Sequence, residues 1–208
     1  ADALQRMGLS RLAAAVLIFG LTGFGGNQFA FDCAGFRGFV LSCASRRDIL
    51  LGKNLAMLPV ALLLMALVIA VSQWMHPMRP DHLAAVLLQT IPMYFLFCLA
   101  ANLLSILAPI ALKAGSGQPA PHQGTRVLFQ IALMFVLPVL IGFTLIPLGI
   151  EALLAFMRRA PWFPAFLFFG LLQTAAVLWL YGVALRWQGG LLERREKKIL
   201  EIVCSKVE

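Results

Sequence analysis

Residues 55–74, LAMLPVALLLMALVIAVSQW, form a run of 20 residues without a charge. A helix of about 20 apolar residues is long enough to cross the hydrocarbon core of a bilayer, which is about 30 Å thick. Four similar segments lie around it, at residues 9–31, 83–108, 127–148 and 162–185. With 61% hydrophobic residues and a mean hydropathy of +0.89, the composition differs from that of a soluble domain. The sequence therefore predicts an all-α fold, a polytopic membrane helical bundle with about five transmembrane helices within residues 1–188.

The first segment, residues 9–31, gives the weakest signal of the five. Its uninterrupted apolar centre, residues 12–24, is only 13 residues long, and polar residues follow it. With Arg6 and Arg11 ahead of it, this segment also fits the core of a signal peptide, although no small-residue cleavage site follows it cleanly.

The net charge of +8 is explained by where the basic residues lie along the chain. Of the 17 lysines and arginines, 12 fall in the loop at residues 32–54, in the loop after the third segment, or in the tail. The positive-inside rule then places the 32–54 loop and the C-terminus in the cytoplasm, and the N-terminus outside. A nucleic-acid partner is not needed to explain this charge. An odd number of spans with an external N-terminus predicts that the chain is the C-terminal part of a longer protein.

The polar residues deep within the apolar segments are amides rather than charged groups. They are Asn27, Gln28, Gln89, Asn102, Gln130 and Gln173. A proton relay or an ion-coupled carrier needs an acid or a base at depth, so these amides favour hydrogen bonds between helices instead. The cysteines and histidines show no metal-ligand spacing, and no HExxH motif or pair of carboxylates lies in a span. The sequence thus predicts neither a metal site nor a membrane-embedded enzyme.

The loop at residues 32–54 reads DCAGFRGFVLSCASRRDILLGKN. Ser45 is followed three residues later by Asp48 and then by apolar residues, a capping-box pattern that predicts a helix starting near Arg46. Such a cap would fix the helix end at the membrane surface and turn Arg46 and Arg47 outward, towards a partner. The alternative is a basic loop that binds lipid headgroups.

Three further segments predict short or amphipathic helices. Residues 36–41 have apolar side chains at helical spacing, which suits a helix lying in the membrane interface. The tail, residues 189–208, is expected to break at two glycines and restart as a cytoplasmic amphipathic helix. This helix could lie on anionic lipid, pack on a partner protein or pair with its own copy; its near balance of acids and bases argues against a purely lipid-seeking role. Residues 151–164, EALLAFMRRAPWFP, predict either a short helix partly dipping into the outer leaflet or a plain connecting loop.

Residues 32–56, with the patterns DxxGFR and RRDILLGKN and the apolar segment that follows, resemble the permease subunits of ATP-binding-cassette exporters of the type-2 class. In that family a short cytoplasmic helix docks into a groove of the ATPase subunit. The resemblance places five residues in this coupling region: Arg46, Arg47, Asp48, Gly52 and Lys53. The tail LLERREKKILEIVCSKVE also resembles the C-terminal extension of a bacterial subset of these permeases. Family members usually have six membrane helices with both termini inside, so the resemblance implies one further helix upstream.

The resemblance implies the membrane-spanning subunit of an ATP-driven exporter in the cytoplasmic membrane of a bacterium, paired with a second permease copy or homologue. Gly52 and Lys53 are followed by Asn54, so the GxxxxGK[ST] phosphate-binding loop is absent. The chain is therefore not expected to be an enzyme or to bind a cofactor, and ATP and Mg²⁺ would belong to a partner ATPase. The alternative is a non-catalytic membrane scaffold or anchor subunit of a multiprotein complex. Substrate-binding residues are not indicated, because an apolar pathway suits lipids, drugs, peptides and glycans equally.

Overall fold

The computed structural model describes residues 27–32, 35–109, 131, 135–136, 138–140, 142–157 and 164–204. Within those ranges the chain is helical and contains no β-strand, which confirms the predicted fold class for this part of the protein. The helices are α1 (Gln28–Asp32), α2 (Gly35–Leu41), α3 (Arg46–Met75), α4 (Pro80–Leu107), α5 (Ile146–Phe156) and α6 (Ala165–Cys204).

Three helices, α3, α4 and α6, are long and apolar enough to cross a membrane. A helical segment at Pro138–Thr144 meets α5 at an angle of 50°, and this bent pair could count as a fourth, broken span. The described residues therefore provide three or four spans, consistent with a multi-pass membrane protein. Most of the predicted span at residues 9–31, and nine of the 22 residues of that at 127–148, lie outside the described residues.

The three long helices differ in how much of their surface the chain itself covers. In the most apolar part of each helix, 61% of residues are buried in α4, 33% in α6 and 17% in α3. Helix α4 is therefore enclosed by its neighbours, whereas α3 leaves most of its apolar surface for lipid or another protein. The start of α4 has Pro80 at its first position, where the missing N–H is not needed, and the helix continues through Pro92.

The chain divides into two compact units. Unit 1 contains residues 1–20, 58–97 and 138–181, and unit 2 contains residues 21–57, 98–137 and 182–208. In unit 1, a buried cluster joins α3, α4 and α6: Ile69, Ala85, Val86 and Phe166. In unit 2, the rings of Phe29 and Phe36 lie 5.1 Å apart, and Leu50 and Leu192 are almost completely buried.

The tail does not form a separate helix, because α6 continues without a break from Ala165 to Cys204. The predicted break at Gly189 and Gly190 is wrong. Neither glycine has the positive φ that would end a helix, and a Cβ atom at Gly189 would lie 2.9 Å from the backbone nitrogen of Arg47. Gly189 therefore permits a close approach between α6 and the start of α3, rather than a change of direction.

Candidate functional site

The start of α3 is capped by Ser45, the residue just before the helix. The Ser45 hydroxyl accepts a hydrogen bond from the Asp48 backbone N–H at 3.1 Å and donates one to the Asp48 carboxylate at 2.6 Å. The two residues of the predicted cap are thus in contact, although Asp48 reaches the Ser45 side chain and not its backbone N–H. One orphan donor of the first helical turn is satisfied in this way.

Arg46 does not point outward, so that part of the sequence prediction is wrong. Its Nε donates to Glu196 Oε2 at 2.8 Å, and the Arg46 side chain is only 16% exposed. The other guanidinium nitrogens donate to the carbonyl oxygens of Phe39 and Val40, both at 2.9 Å, and to that of Ala44 at 3.4 Å. Phe39 and Val40 belong to the last turn of α2, where carbonyls lack partners within the helix and a cation is favoured. Arg46 therefore joins the end of α2, the loop after it and the C-terminal part of α6.

Lys53 is also held within the chain. Its ammonium forms an ion pair with Asp32, lies 3.4 Å from the carbonyl oxygen of Gln28, and sits 5.5 Å and 5.2 Å from the ring centres of Phe29 and Phe39. The Lys53 side chain is 14% exposed. Because its charge is paired and partly covered by aromatic rings, Lys53 ties α3 to α1 and contributes little to the outer surface.

The remaining predicted coupling residues, Arg47, Asp48 and Gly52, are exposed. They follow the exposed loop at residues 41–45, in which Leu41 is 83% exposed. We call residues 41–45 together with Arg47, Asp48 and Gly52 the loop surface. Of the two arginines in the predicted basic pair, Arg47 alone is available to a partner from this surface.

The C-terminal part of α6 contacts α2, the start of α3 and the end of α4. Leu192 and Glu196 line a small cleft together with Phe36 and Ile49. Farther along the same helix, Arg195 donates to the carbonyl oxygens of Leu107 at 3.2 Å and Ile106 at 3.4 Å. These carbonyls lie at the C-terminal end of α4, where a positive charge complements the helix dipole. The tail thus fixes both the start of α3 and the end of α4 within unit 2.

A chain of buried amides links α1, α4 and α6 in unit 2. The Gln28 side chain donates to Asn102 Oδ1 at 2.9 Å, Asn102 donates to Gln188 Oε1 at 3.0 Å, and Gln188 donates to the carbonyl oxygen of Leu99 at 2.8 Å. Asn102 is completely buried, and Gln188 nearly so. The sequence indicates Gln28 and Asn102 as polar residues within apolar segments. It does not indicate Gln188, because this residue lies beyond Arg186, which ends the apolar segment.

Unit 1 contains a separate polar cluster around Glu151. One oxygen of its carboxylate lies 2.9 Å from His82 Nε2, and the other accepts the Phe166 backbone N–H at 2.7 Å. Phe166 is in the first turn of α6, so Glu151 supplies from α5 the cap that α6 lacks in its own sequence. The sequence around Glu151 gives no sign of this contact, because His82 and Phe166 belong to other helices.

Among the residues that the structure describes, no group of three or more histidine, cysteine, aspartate or glutamate side chains could hold a metal ion. The polar groups described above are paired with one another and with backbone carbonyls, an arrangement that fastens helices together. One feature of unit 2 that is open to an outside partner is the exposed, capped loop surface. Neither the family models, nor the curated proteins, nor the solved structures contain a match to this chain.

Proposed function

We propose that the chain is the membrane-spanning subunit of an ATP-driven exporter, which receives force from a separate ATPase through the loop surface. The observation that carries this proposal is the continuity of α3, which runs as one helix of 30 residues from the exposed cap at Ser45 through the uncharged segment 55–74. The resemblance of residues 32–56 to type-2 exporter permeases supplies the identity of the partner.

A continuous helix can transmit displacement along its length, and α3 continues through Pro59 without an interruption. A partner that closes on Arg47 and Asp48 would move the start of α3 and, with it, the apolar part of the same helix. Arg46 would spread this movement, since its guanidinium is bound to the last turn of α2 and to Glu196 of α6. In this proposal the internal contacts of Arg46 transmit the movement to α2 and α6, whereas Arg47 binds the ATPase.

The proposed assembly contains two permease copies or homologues and two ATPase subunits, with ATP and Mg²⁺ bound by the ATPases. The distribution of basic residues favours a cytoplasmic position for the loop surface and the tail, in the inner membrane of a bacterium. The large apolar surface that α3 leaves uncovered is compatible with contact to lipid or to a second permease. The nature of the exported substrate is left open.

A scaffold or anchor subunit is the second candidate, and one observation favours it. Two of the three basic residues in the predicted coupling region, Arg46 and Lys53, are used for contacts within the chain. A scaffold needs such contacts for its own stability but does not need Arg47. The role of Arg47 therefore separates the two functions.

The test is purification of the chain from its native membranes in a mild detergent, followed by identification of bound proteins. We compare the wild type with Arg47→Glu and with a matched control, Arg79→Glu, which reverses an exposed arginine in a loop predicted to lie on the other side of the membrane. The exporter predicts that an ATPase with a Walker motif is recovered with the wild type and the control and is lost with Arg47→Glu. Recovery of no ATPase with the wild type would refute the exporter and favour the scaffold.

A further inference from the structure

The C-terminal part of α6 has one face buried in unit 2 and one face exposed. The inward positions, which recur at helical spacing, are Leu185, Gln188, Gly189, Leu192 and Ile199, all buried. The outward positions are Arg186, Trp187, Gly190, Glu193, Arg194, Lys197, Lys198 and Glu201, all exposed. We call this second set the tail face. A helix with one covered and one open face of this kind is bound to the protein on one side and free to meet a partner on the other.

The tail face has a small excess of positive charge, because its exposed bases outnumber its exposed acids. It contains four bases and two acids. Arg195 is hydrogen-bonded to the end of α4, and Glu196 forms an ion pair with Arg46. The exposed surface has an excess of positive charge, which favours an acidic partner.

The helix that carries the tail face packs against the start of α3, which carries Arg47 of the loop surface. Gly189 packs so closely on α3 that a Cβ atom there would lie within 3.3 Å of three atoms of Arg47. Arg47 is exposed beside this contact, and Arg186 and Gly190 of the tail face lie on the helical turns around Gly189. A partner that binds Arg47 would therefore lie beside the helix that carries the tail face.

The unbroken course of α6 argues that the acidic partner is a soluble protein and not the lipid surface. From Arg186 to Ile202 the helix is about 25 Å long, at 1.5 Å per residue. The attraction of anionic lipid falls off within a Debye length, about 8 Å at physiological ionic strength. A helix that ended at Gly189 could have been followed by one lying along the membrane, but α6 is not interrupted there. Lys197 and Lys198 therefore extend away from the end of the apolar segment.

We infer that the docking surface for the ATPase is composite, formed by the loop surface and the tail face together, and that the ATPase presents acidic side chains to Arg194, Lys197 and Lys198. This inference rests on the proposed function. It adds a second contact, to α6, to the coupling contact at α3. An ATPase bound in this way would hold the two helices that Gly189 and the Arg46–Glu196 ion pair already join.

The experiment uses the complex of the full chain with its co-purified Walker-motif ATPase. The triple variant Arg194→Glu/Lys197→Glu/Lys198→Glu is compared with the control Glu193→Gln/Glu201→Gln, which alters the same face without removing a base. We expect the triple variant to retain about one tenth of the ATPase that the wild type retains, or less. The control should retain as much ATPase as the wild type or more. Equal retention by the triple variant, with loss in Arg47→Glu, would overturn the composite surface and leave the exporter proposal standing. Absence of ATPase from the wild type would overturn both.

A second measurement does not depend on the triple variant folding. The wild-type chain is reconstituted in nanodiscs of phosphatidylcholine, with or without phosphatidylglycerol, and labelling of Lys197 and Lys198 by an amine-reactive reagent is followed by mass spectrometry. We expect bound ATPase to slow the labelling several-fold and phosphatidylglycerol to leave it unchanged. Protection by phosphatidylglycerol alone would show that the tail face binds lipid, and no protection by either would show that it is merely solvated. Both results would overturn the inference.

Discussion

Replacement of Gly189 and Gly190 by alanine, one at a time, separates helix propensity from packing at the contact between α6 and α3. Both glycines lie within α6, and neither has a positive φ. Alanine should therefore favour the helix at either position, by about 1 kcal/mol relative to glycine. The surroundings of the two positions differ. A Cβ atom at Gly190 would meet nothing within 4 Å, whereas at Gly189 it would lie 2.9 Å from the Arg47 nitrogen and 3.2 Å from its Cα.

The atoms that the new methyl group would meet at Gly189 belong to the backbone, so they cannot rotate out of the way. Either α3 or α6 must shift, and overpacking of this kind costs about 1–3 kcal/mol. Gly190→Ala is expected to raise the free energy of unfolding by about 1 kcal/mol. Gly189→Ala gains the same propensity but loses more in packing, so the two variants should differ by about 1–3 kcal/mol.

Thermal unfolding of the purified chain in detergent, followed by tryptophan fluorescence, measures this difference. We expect the midpoint to rise for Gly190→Ala and to stay level or fall for Gly189→Ala. An equal rise in both variants would refute the close approach of Gly189 to α3. A fall in both would instead indicate that the glycines are needed for a helix break, as the sequence suggests.

Substitutions at Glu151 in unit 1 and at Asn102 and Gln188 in unit 2 test the polar contacts within each unit. Glu151→Ala should lower the free energy of unfolding by about 1–2 kcal/mol, because the Phe166 N–H at the start of α6 loses its acceptor. Glu151→Gln keeps an acceptor and should lower the free energy of unfolding by less. Equal decreases in a thermal unfolding assay would contradict the capping role. Asn102→Leu should cost about 1 kcal/mol, since both Gln28 and Gln188 lose a partner and hydrogen bonds between membrane helices average about 0.6 kcal/mol. The double variant Asn102→Leu/Gln188→Leu should lose less free energy of unfolding than the sum of the losses in the two single variants. Strict additivity would show that the two amides are not coupled.

The features that could be predicted from the sequence are those whose signals are local. The uncharged run at residues 55–74 indicates an apolar helix by itself, and Ser45 with Asp48 three residues later indicates where α3 begins. These signals come from backbone hydrogen bonds and from the length of apolar sequence, which neighbouring residues determine. Their interpretation does not depend on any distant part of the chain.

The features that sequence reasoning missed depend on residues far apart in the chain. Arg46 looks free beside Arg47 because its partner, Glu196, is 150 residues away. Gly189 looks like a helix breaker because the sequence does not show the Arg47 backbone that lies against it. Gln188 looks like part of a polar tail until Asn102 of another helix is placed beside it. In each case tertiary packing decides between two meanings that the local pattern allows equally.

The ion pair between Arg46 and Glu196 has a consequence for the timing of biosynthesis. Glu196 is translated 150 residues after Arg46. At 5–20 residues per second, the interval between the two is roughly 10–30 s. During that interval the growing chain has the cap at Ser45 but lacks the tail that fixes Arg46 and the end of α2. The loop therefore acquires its final shape late in synthesis, and a partner selective for that shape would bind the completed subunit and pass over the nascent one.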